Sequence, residues 1–163
     1  FIDRDRDGFV TTAEWAESEK FIGKGEPGLF ALRAPGTGDV TETHLVWKQK
    51  KAVASVSSPL FYRGRVYVVQ DGGRVTCYNA KTGETAYEQE RLDADGEYFA
   101  SPVAAHGNVC FASTRGTVST IAGGDTLKVL ARNELGEPIM ATPAIADSTL
   151  YVRTSGHLWA FGH

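Results

Sequence analysis

Twelve residues near the start of the chain carry oxygen donors at the spacing that binds a hard divalent cation. Residues 3–14 read DRDRDGFVTTAE. The donors are three aspartates, one backbone carbonyl, one threonine and a closing glutamate: Asp3, Asp5, Asp7, Phe9, Thr11 and Glu14. Gly8 allows the sharp turn at the sixth position, and Glu14 at the twelfth can offer both carboxylate oxygens. Because Ca²⁺ takes roughly six to eight oxygens at about 2.3–2.6 Å, this order of residues predicts a calcium site.

The order of ligands is that of an EF-hand, which is a helix, a loop and a second helix. Only Phe1 and Ile2 precede the loop, so the entering helix is absent from this sequence, whereas an exiting helix is predicted over Thr12–Ile22. The alternative is an acidic turn before a helix, with Thr11 or Thr12 at its N-cap. Sensor hands come in pairs and open a methionine-rich groove. One hand and a single methionine, Met140, therefore favour a structural ion.

Charge is concentrated around this loop. Residues 1–26 hold seven acidic and four basic side chains, which accounts for the whole net charge of −3, and residues 27–163 hold thirteen of each. This distribution favours a cation site and gives no basic footprint for a nucleic-acid partner. Lys48, Lys50 and Lys51 form one basic cluster, interpreted as a solvated strand end.

Other chemistry-bearing residues do not form a recognisable constellation. Cys77 and Cys110 each lie in an apolar, β-branched run, and they are predicted to be buried, unpaired thiols. The cysteine and histidine spacings fit no zinc motif. No apolar run approaches the roughly 18 residues of a membrane span. The chain does not begin with Met, so its native start is expected upstream, and secretion cannot be read from this end.

A repeat of about 40 residues organises the rest of the chain. Its landmarks are a hydroxyl residue followed by proline, then a glycine: Ser58-Pro59 with Gly73, Ser101-Pro102 with Gly116, and Thr142-Pro143 with Gly156. The prolines are 43 and 41 residues apart and the glycines 43 and 40. Short β-branched or aromatic runs separated by Gly, Asn and Asp turns fill each repeat, which predicts strands.

Four short strands in a period of about 40–45 residues indicate a β-propeller blade. The predicted fold is therefore all-β, a partial β-propeller of about three four-stranded blades in an incomplete ring, after an N-terminal EF-hand loop and short helix. We expect residues 1–28 to be a calcium-loop insertion and 29–163 to be blades of a larger propeller. Rings close with four to eight blades, so we expect a strand from an upstream part to complete the last blade, or self-association through open blade edges.

The phrase CYNAKTGETAY, preceded by SSPLFYRGRVYVV, resembles the PQQ-like (quinoprotein-type, BamB-like) propeller repeat. Residues 29–163 resemble this family throughout, with Trp47 and Tyr87 at its aromatic position, where packing between blades is expected. The resemblance implies the propeller fold and a periplasmic or extracellular location. It is specific for fold and weak for activity.

Quinoprotein dehydrogenases of this family hold PQQ with a catalytic aspartate, a calcium ion and usually a disulfide between adjacent cysteines. Cys77 and Cys110 are not adjacent, and no matching aspartate site is found. The aspartates in turns are expected to stabilise the local backbone: Asp39, Asp71, Asp93, Asp95 and Asp125. We therefore predict no enzyme activity and no PQQ site, but a calcium-binding propeller module for protein or ligand binding. The alternative is a fragment of a PQQ-dependent dehydrogenase.

Overall fold

Apart from one helix, the described part of the chain is built from antiparallel β-sheets. The computed structural model describes residue 5 and residues 7–22, 27–40 and 42–162. Within these residues there are one helix and thirteen strands: α1 (Thr12–Ile22), β1 (Leu29–Leu32), β2 (Leu45–Gln49), β3 (Leu60–Tyr62), β4 (Arg65–Gln70), β5 (Arg74–Asn79), β6 (Thr85–Arg91), β7 (Val103–Ala105), β8 (Asn108–Ala112), β9 (Thr117–Ala122), β10 (Lys128–Glu134), β11 (Ala144–Ala146), β12 (Thr149–Arg153) and β13 (Leu158–Phe161).

The strands pair with their sequence neighbours in four sheets. Strands β3–β6 form one four-stranded sheet, here the first blade, and β7–β10 form the second blade. Strands β11–β13 form the three-stranded third blade, and β1–β2 form the N-terminal half-blade. The tally of half a blade, two whole blades and three further strands confirms the sequence prediction of partial propeller blades.

Helix α1 has the bounds expected from the sequence, Thr12 to Ile22. It begins where Trp15 N–H donates to the Thr11 carbonyl (2.9 Å). The Trp15 side chain, near the start of the helix, is exposed. The first predicted calcium ligand, Asp3, lies outside the described residues.

The core lies between successive blades, not within one sheet. Tyr67, Val75 and Cys77 of the first blade lie in one buried cluster with Val109 and Phe111 of the second. A smaller cluster joins the second blade to the third, and it includes Ala112, Val118 and Val152. Each sheet therefore buries its apolar faces against neighbouring sheets, as a propeller requires.

The repeated glycine of each whole blade is needed for contact with the connector that follows the blade. A Cβ on Gly73 would lie 2.6 Å from the Ala94 carbonyl oxygen, and a Cβ on Gly116 would lie closer still to the Glu137 carbonyl oxygen. Both residues also have positive φ angles, 66° and 90°. The repeated glycine is thus explained by close backbone approach together with a left-handed conformation.

Candidate functional site

The carboxylates of the predicted calcium loop bond to the loop's own backbone. Asp5 Oδ1 accepts a hydrogen bond from Asp7 N–H (3.2 Å), and Asp7 Oδ1 accepts one from Phe9 N–H (2.8 Å). Gly8 has a φ of 87°, which supplies the turn expected at the sixth position. Two of the predicted ligands therefore shape the loop through one carboxylate oxygen each.

Glu14, the predicted closing ligand, caps helix α1. Its Oε2 accepts hydrogen bonds from Thr11 N–H (2.9 Å) and from the Thr11 hydroxyl (2.8 Å), while Glu14 N–H donates to Thr11 Oγ1 (3.3 Å). This reciprocal pair is a capping box, with Thr11 as the N-cap and Glu14 at the third helical position. The arrangement matches the alternative interpretation of this segment as an N-capped helix start.

The donor set nevertheless fits a hard cation. Asp5, Asp7, Thr11 and Glu14 carry oxygen donors within ten residues, and the exposed loop leaves the carboxylates open to solvent on at least one side. In the described ranges, no three His, Cys, Asp or Glu side chains converge on a common point. Coordination by Glu14 would require its carboxylate to exchange the bonds to Thr11 for the ion. Asp3, Asp5, Asp7, Phe9, Thr11 and Glu14 thus remain a predicted ligand set.

A line of hydroxyl groups connects the three blades at the repeated Ser/Thr-Pro position. Ser58 N–H donates to Ser101 Oγ (2.9 Å), and Ser101 N–H donates to Thr142 Oγ1 (2.9 Å). The bonds span 43 and 41 residues of sequence, which are the periods of the repeat. The sequence marks these positions as repeat landmarks, but it does not predict that each hydroxyl bonds to the preceding blade.

Trp47 joins the half-blade to the first blade, as expected for the aromatic position. Its indole N–H donates to the Ala80 carbonyl (2.9 Å), and its ring lies against Gly83, where a Cβ would come 2.7 Å from Trp47 Cγ. The neighbouring Gln49 amide donates to the Gly83 carbonyl (2.8 Å). A side chain at Gly83 would collide with the Trp47 ring, so the turn in the AKTG sequence requires a glycine at this position. Tyr87, the other predicted aromatic, is buried in the cluster between the first and second blades.

Three of the turn aspartates bond to distant residues, which corrects the expectation that they stabilise the local backbone. Asp71 accepts from Tyr98 N–H (2.9 Å), Asp93 pairs with Arg132 (3.1 Å), and Asp125 pairs with Arg65. The hydrogen bond from Arg65 lowers the pKa of Asp125 below its ordinary value. These contacts are separated by 27, 39 and 60 residues, so local sequence contains no signal for them.

Glu137 fastens the connector of the third blade to the hairpin between β12 and β13. Its carboxylate accepts from the Thr154 hydroxyl, from Gly156 N–H (3.0 Å) and from His157 Nδ1 (2.7 Å). The hydrogen bond from Thr154 is the main cause that lowers the pKa of Glu137, followed by the bond from Gly156. No sequence pattern singles out Glu137, and the spacing of the histidines gives no sign of this partner for His157.

The two cysteines are free thiols, as predicted, but only Cys77 is buried; the predicted burial of Cys110 is wrong, since its side chain is partly exposed. Cys77 is fully buried, and this burial raises its pKa to about 11. Cys110 is half-buried, lies 3.5 Å from Thr120 Oγ1, and also has a pKa raised by burial. Neither thiol has the lowered pKa that marks a reactive cysteine.

Comparison with known proteins agrees with this architecture. Residues 17–97, about half of the chain, match the family described as outer membrane protein assembly factor BamB. The structure of BamB from Moraxella catarrhalis is 22% identical, with a TM-score of 0.58 over 72% of this chain and 36% of that one. The computationally designed Ika4 protein is 13% identical, with a TM-score of 0.60 over 72% of both chains.

The fold is that of a PQQ-like β-propeller. A quinohemoprotein alcohol dehydrogenase from Pseudomonas putida HK5 also shares it, with 18% identity and a TM-score of 0.52 over 66% of this chain and 23% of that one. At these identities the likeness shows the PQQ-like propeller fold alone. The chain spans about a third of the length of the BamB structure that it matches. No curated protein matches the sequence. Among the described helical residues, none forms a helix long and apolar enough to cross a membrane.

Proposed function

We propose that this PQQ-like propeller segment is a binding scaffold that acts outside the cytoplasm, in the periplasm or extracellularly, and that its N-terminal loop holds a structural Ca²⁺. The scaffold role rests on one observation: residues that recur in each repeat form hydrogen bonds between neighbouring blades. The Ser58–Ser101–Thr142 line and the Trp47–Ala80 bond both cross from one blade to the next. A frame fastened in this way holds its loops in fixed positions for a partner.

The match to a family of outer membrane protein assembly factors supports this proposal, because an assembly factor binds other proteins. The same likeness supports a location outside the cytoplasm. Enzyme chemistry would instead require PQQ, which we do not expect to bind. Addition of PQQ to the purified chain, followed by an assay for alcohol-dependent dye reduction, distinguishes the two functions. Dye reduction that depends on PQQ would replace the scaffold proposal with the dehydrogenase one.

Calcium binding is tested with terbium, which replaces Ca²⁺ at oxygen sites and emits when a nearby tryptophan is excited. Trp15 directly follows the closing ligand Glu14 and is exposed, so it is placed to sensitise an ion in the loop. We expect saturable emission that added Ca²⁺ displaces. A single hand should bind weakly, on the order of 10⁻⁴–10⁻³ M, as extracellular calcium modules do.

Two variants make this test specific. Asp7→Asn removes one carboxylate charge and should weaken terbium emission strongly. Glu17→Gln also removes one carboxylate charge, but Glu17 lies on helix α1 outside the predicted ligand set, so this variant serves as the matched control. Glu14→Gln has two roles, since Glu14 also caps α1, so its helix content must be measured beside the emission. Equal emission from wild type and Asp7→Asn would rule out the loop as the ion site.

A further inference from the structure

Two arginines lie directly opposite each other on one face of the first blade. In the register of β5 and β6, Arg74 is paired with Arg91, and in the register of β4 and β5 it is paired with Gln70. Residues directly opposite in antiparallel strands place their side chains on the same face of the sheet. Gln70, Arg74 and Arg91 therefore form a row across three strands.

This row is electrostatically unfavourable as it stands. Like charges directly opposite each other destabilise a sheet. Within the described part of the chain, neither Arg74 nor Arg91 forms an ion pair. The acidic neighbour Glu90 is paired with Val75, one step along the strand, and so projects from the opposite face. Glu88 of β6 lies beside Tyr78 and Lys51, farther along the sheet, so no carboxylate is paired directly with either arginine.

Buried polar atoms in the same row are also unsatisfied. Arg74 Nε and Gln70 Oε1 are inaccessible to solvent and have no hydrogen-bond partner among the described residues. An unsatisfied buried donor on a charged group is costly, and most such atoms in proteins have a partner. Because these two atoms are closed to solvent, a ligand can reach Arg74 only through its outer nitrogens, Nη1 and Nη2, which are not among the buried atoms.

A short segment of chain covers the inner end of the row and leaves the outer end open. The Tyr78 hydroxyl donates to the Lys51 carbonyl (3.1 Å), and the Gln70 amide donates to the Val53 carbonyl (3.1 Å). Residues 51–53 thus cross over the face that carries Gln70 and Arg74. Arg91, at the outer strand, is exposed. Arg74 therefore lies between Gln70, which is bonded to the covering segment, and the exposed Arg91.

We infer that the outer end of this row binds an oxyanion, a phosphate or carboxylate group, between Arg74 and Arg91. Guanidinium groups bind such anions through paired charge-assisted hydrogen bonds. The anion neutralises the like-charge pair and accepts from the Nη atoms of Arg74 and from the guanidinium of Arg91. The site lies on the first blade and does not depend on calcium binding by the N-terminal loop.

Inorganic phosphate is the probe, added to the purified chain at constant ionic strength set by chloride, with thermal unfolding as the measurement. We expect a saturable rise of the unfolding temperature, since a ligand of the folded state stabilises it. Arg91→Gln should weaken the apparent affinity about tenfold or more, the loss expected for a charge-assisted bond. Arg153→Gln, another exposed arginine, should leave it unchanged. Acetate in place of phosphate then separates a carboxylate ligand from a phosphate ligand.

Arg91→Glu gives the decisive contrast. A glutamate at this position, opposite Arg74, would form a cross-strand ion pair. This variant should therefore unfold at a higher temperature than wild type without phosphate, and it should lose the response to phosphate. Since Arg91 is exposed, its replacement does not disturb the core. A phosphate response no larger than that of chloride, or an equal response in Arg91→Gln and wild type, would overturn the inference.

Discussion

The hydroxyl of Ser101 accepts a hydrogen bond from the backbone N–H of Ser58 across 43 residues of chain. The next repeat uses Thr142 in the same way, as the acceptor for Ser101 N–H. The residue type at this position is therefore set by the need for a short side-chain acceptor at the junction of two blades. The proline that follows has no N–H of its own to satisfy at that place.

Ser101→Ala removes the acceptor of Ser58 N–H while leaving the Ser101 amide bonded to Thr142. We expect the free energy of unfolding to fall by about 0.5–1.5 kcal/mol, the net value of one hydrogen bond. Urea unfolding followed by tryptophan fluorescence measures the change.

Ser101→Thr is the matched control for this bond. Threonine keeps the hydroxyl and occurs naturally at the equivalent place in the next repeat, Thr142. It should retain most of the stability that Ser101→Ala loses. A loss of equal size in both variants would show that the side-chain volume, not the hydrogen bond, matters at this junction.

Gly116→Ala tests whether the repeated glycine is required for space as well as for conformation. The φ of 90° alone costs an L-residue about 1–2 kcal/mol, and the contact with the Glu137 carbonyl adds an overpacking cost of about 1–3 kcal/mol. Gly136 has a φ of 72° and nothing within 4 Å of its Cβ position, so Gly136→Ala carries the conformational cost alone. Denaturant unfolding of both variants should rank Gly116→Ala as clearly less stable. Equal losses would contradict the role of close approach.

Strand positions could be predicted from the sequence because each is bounded by a turn residue and recurs with the period of the repeat. Strands β5 and β9 coincide with the runs RVTCYN and TVSTIA, which follow the repeated glycines Gly73 and Gly116, and α1 has the bounds predicted, Thr12 to Ile22. Contacts between blades could not be predicted in the same way. The pairing of Asp125 with Arg65 depends on how two hairpins meet after 60 intervening residues. The residues around Asp125 predict that it lies in a turn, but they do not predict its pairing with Arg65.

The calcium loop shows the same division between local pattern and spatial arrangement. The turn at Gly8 and the helix start at Thr12 follow from neighbouring residues, and both are present. Glu14 can act either as a helix cap or as an ion ligand, and the residue type alone fits both. The choice between the roles depends on the ion, so the six predicted ligands stay a prediction until binding is measured.

Cys77 should be unreactive in the folded protein. Burial raises its pKa to about 11, so at pH 8 only about one thiol in a thousand is ionised, and the side chain is closed to solvent. In the Cys110→Ser variant, a chromogenic disulfide reagent at pH 8 should modify Cys77 slowly in buffer and at once in concentrated urea. Rapid modification of the folded variant would show that the interface between the first and second blades opens readily.

Glu137 should make the stability of the third blade depend on pH in the acid range. Its folded-state pKa lies below the ordinary value of 4.5, because the Thr154 hydroxyl, Gly156 N–H and His157 all bond to the carboxylate. Its contribution is therefore present above the unfolded-state pKa and is lost as pH falls through the folded-state pKa.

Urea unfolding across this acid range should show a smaller loss of stability in Glu137→Gln than in wild type, because the glutamine has no proton to gain. Glu134→Gln, an exposed carboxylate without an ion pair in the described residues, is the control and should keep the wild-type slope. Parallel slopes for Glu137→Gln and wild type would show that the carboxylate does not fasten the hairpin between β12 and β13.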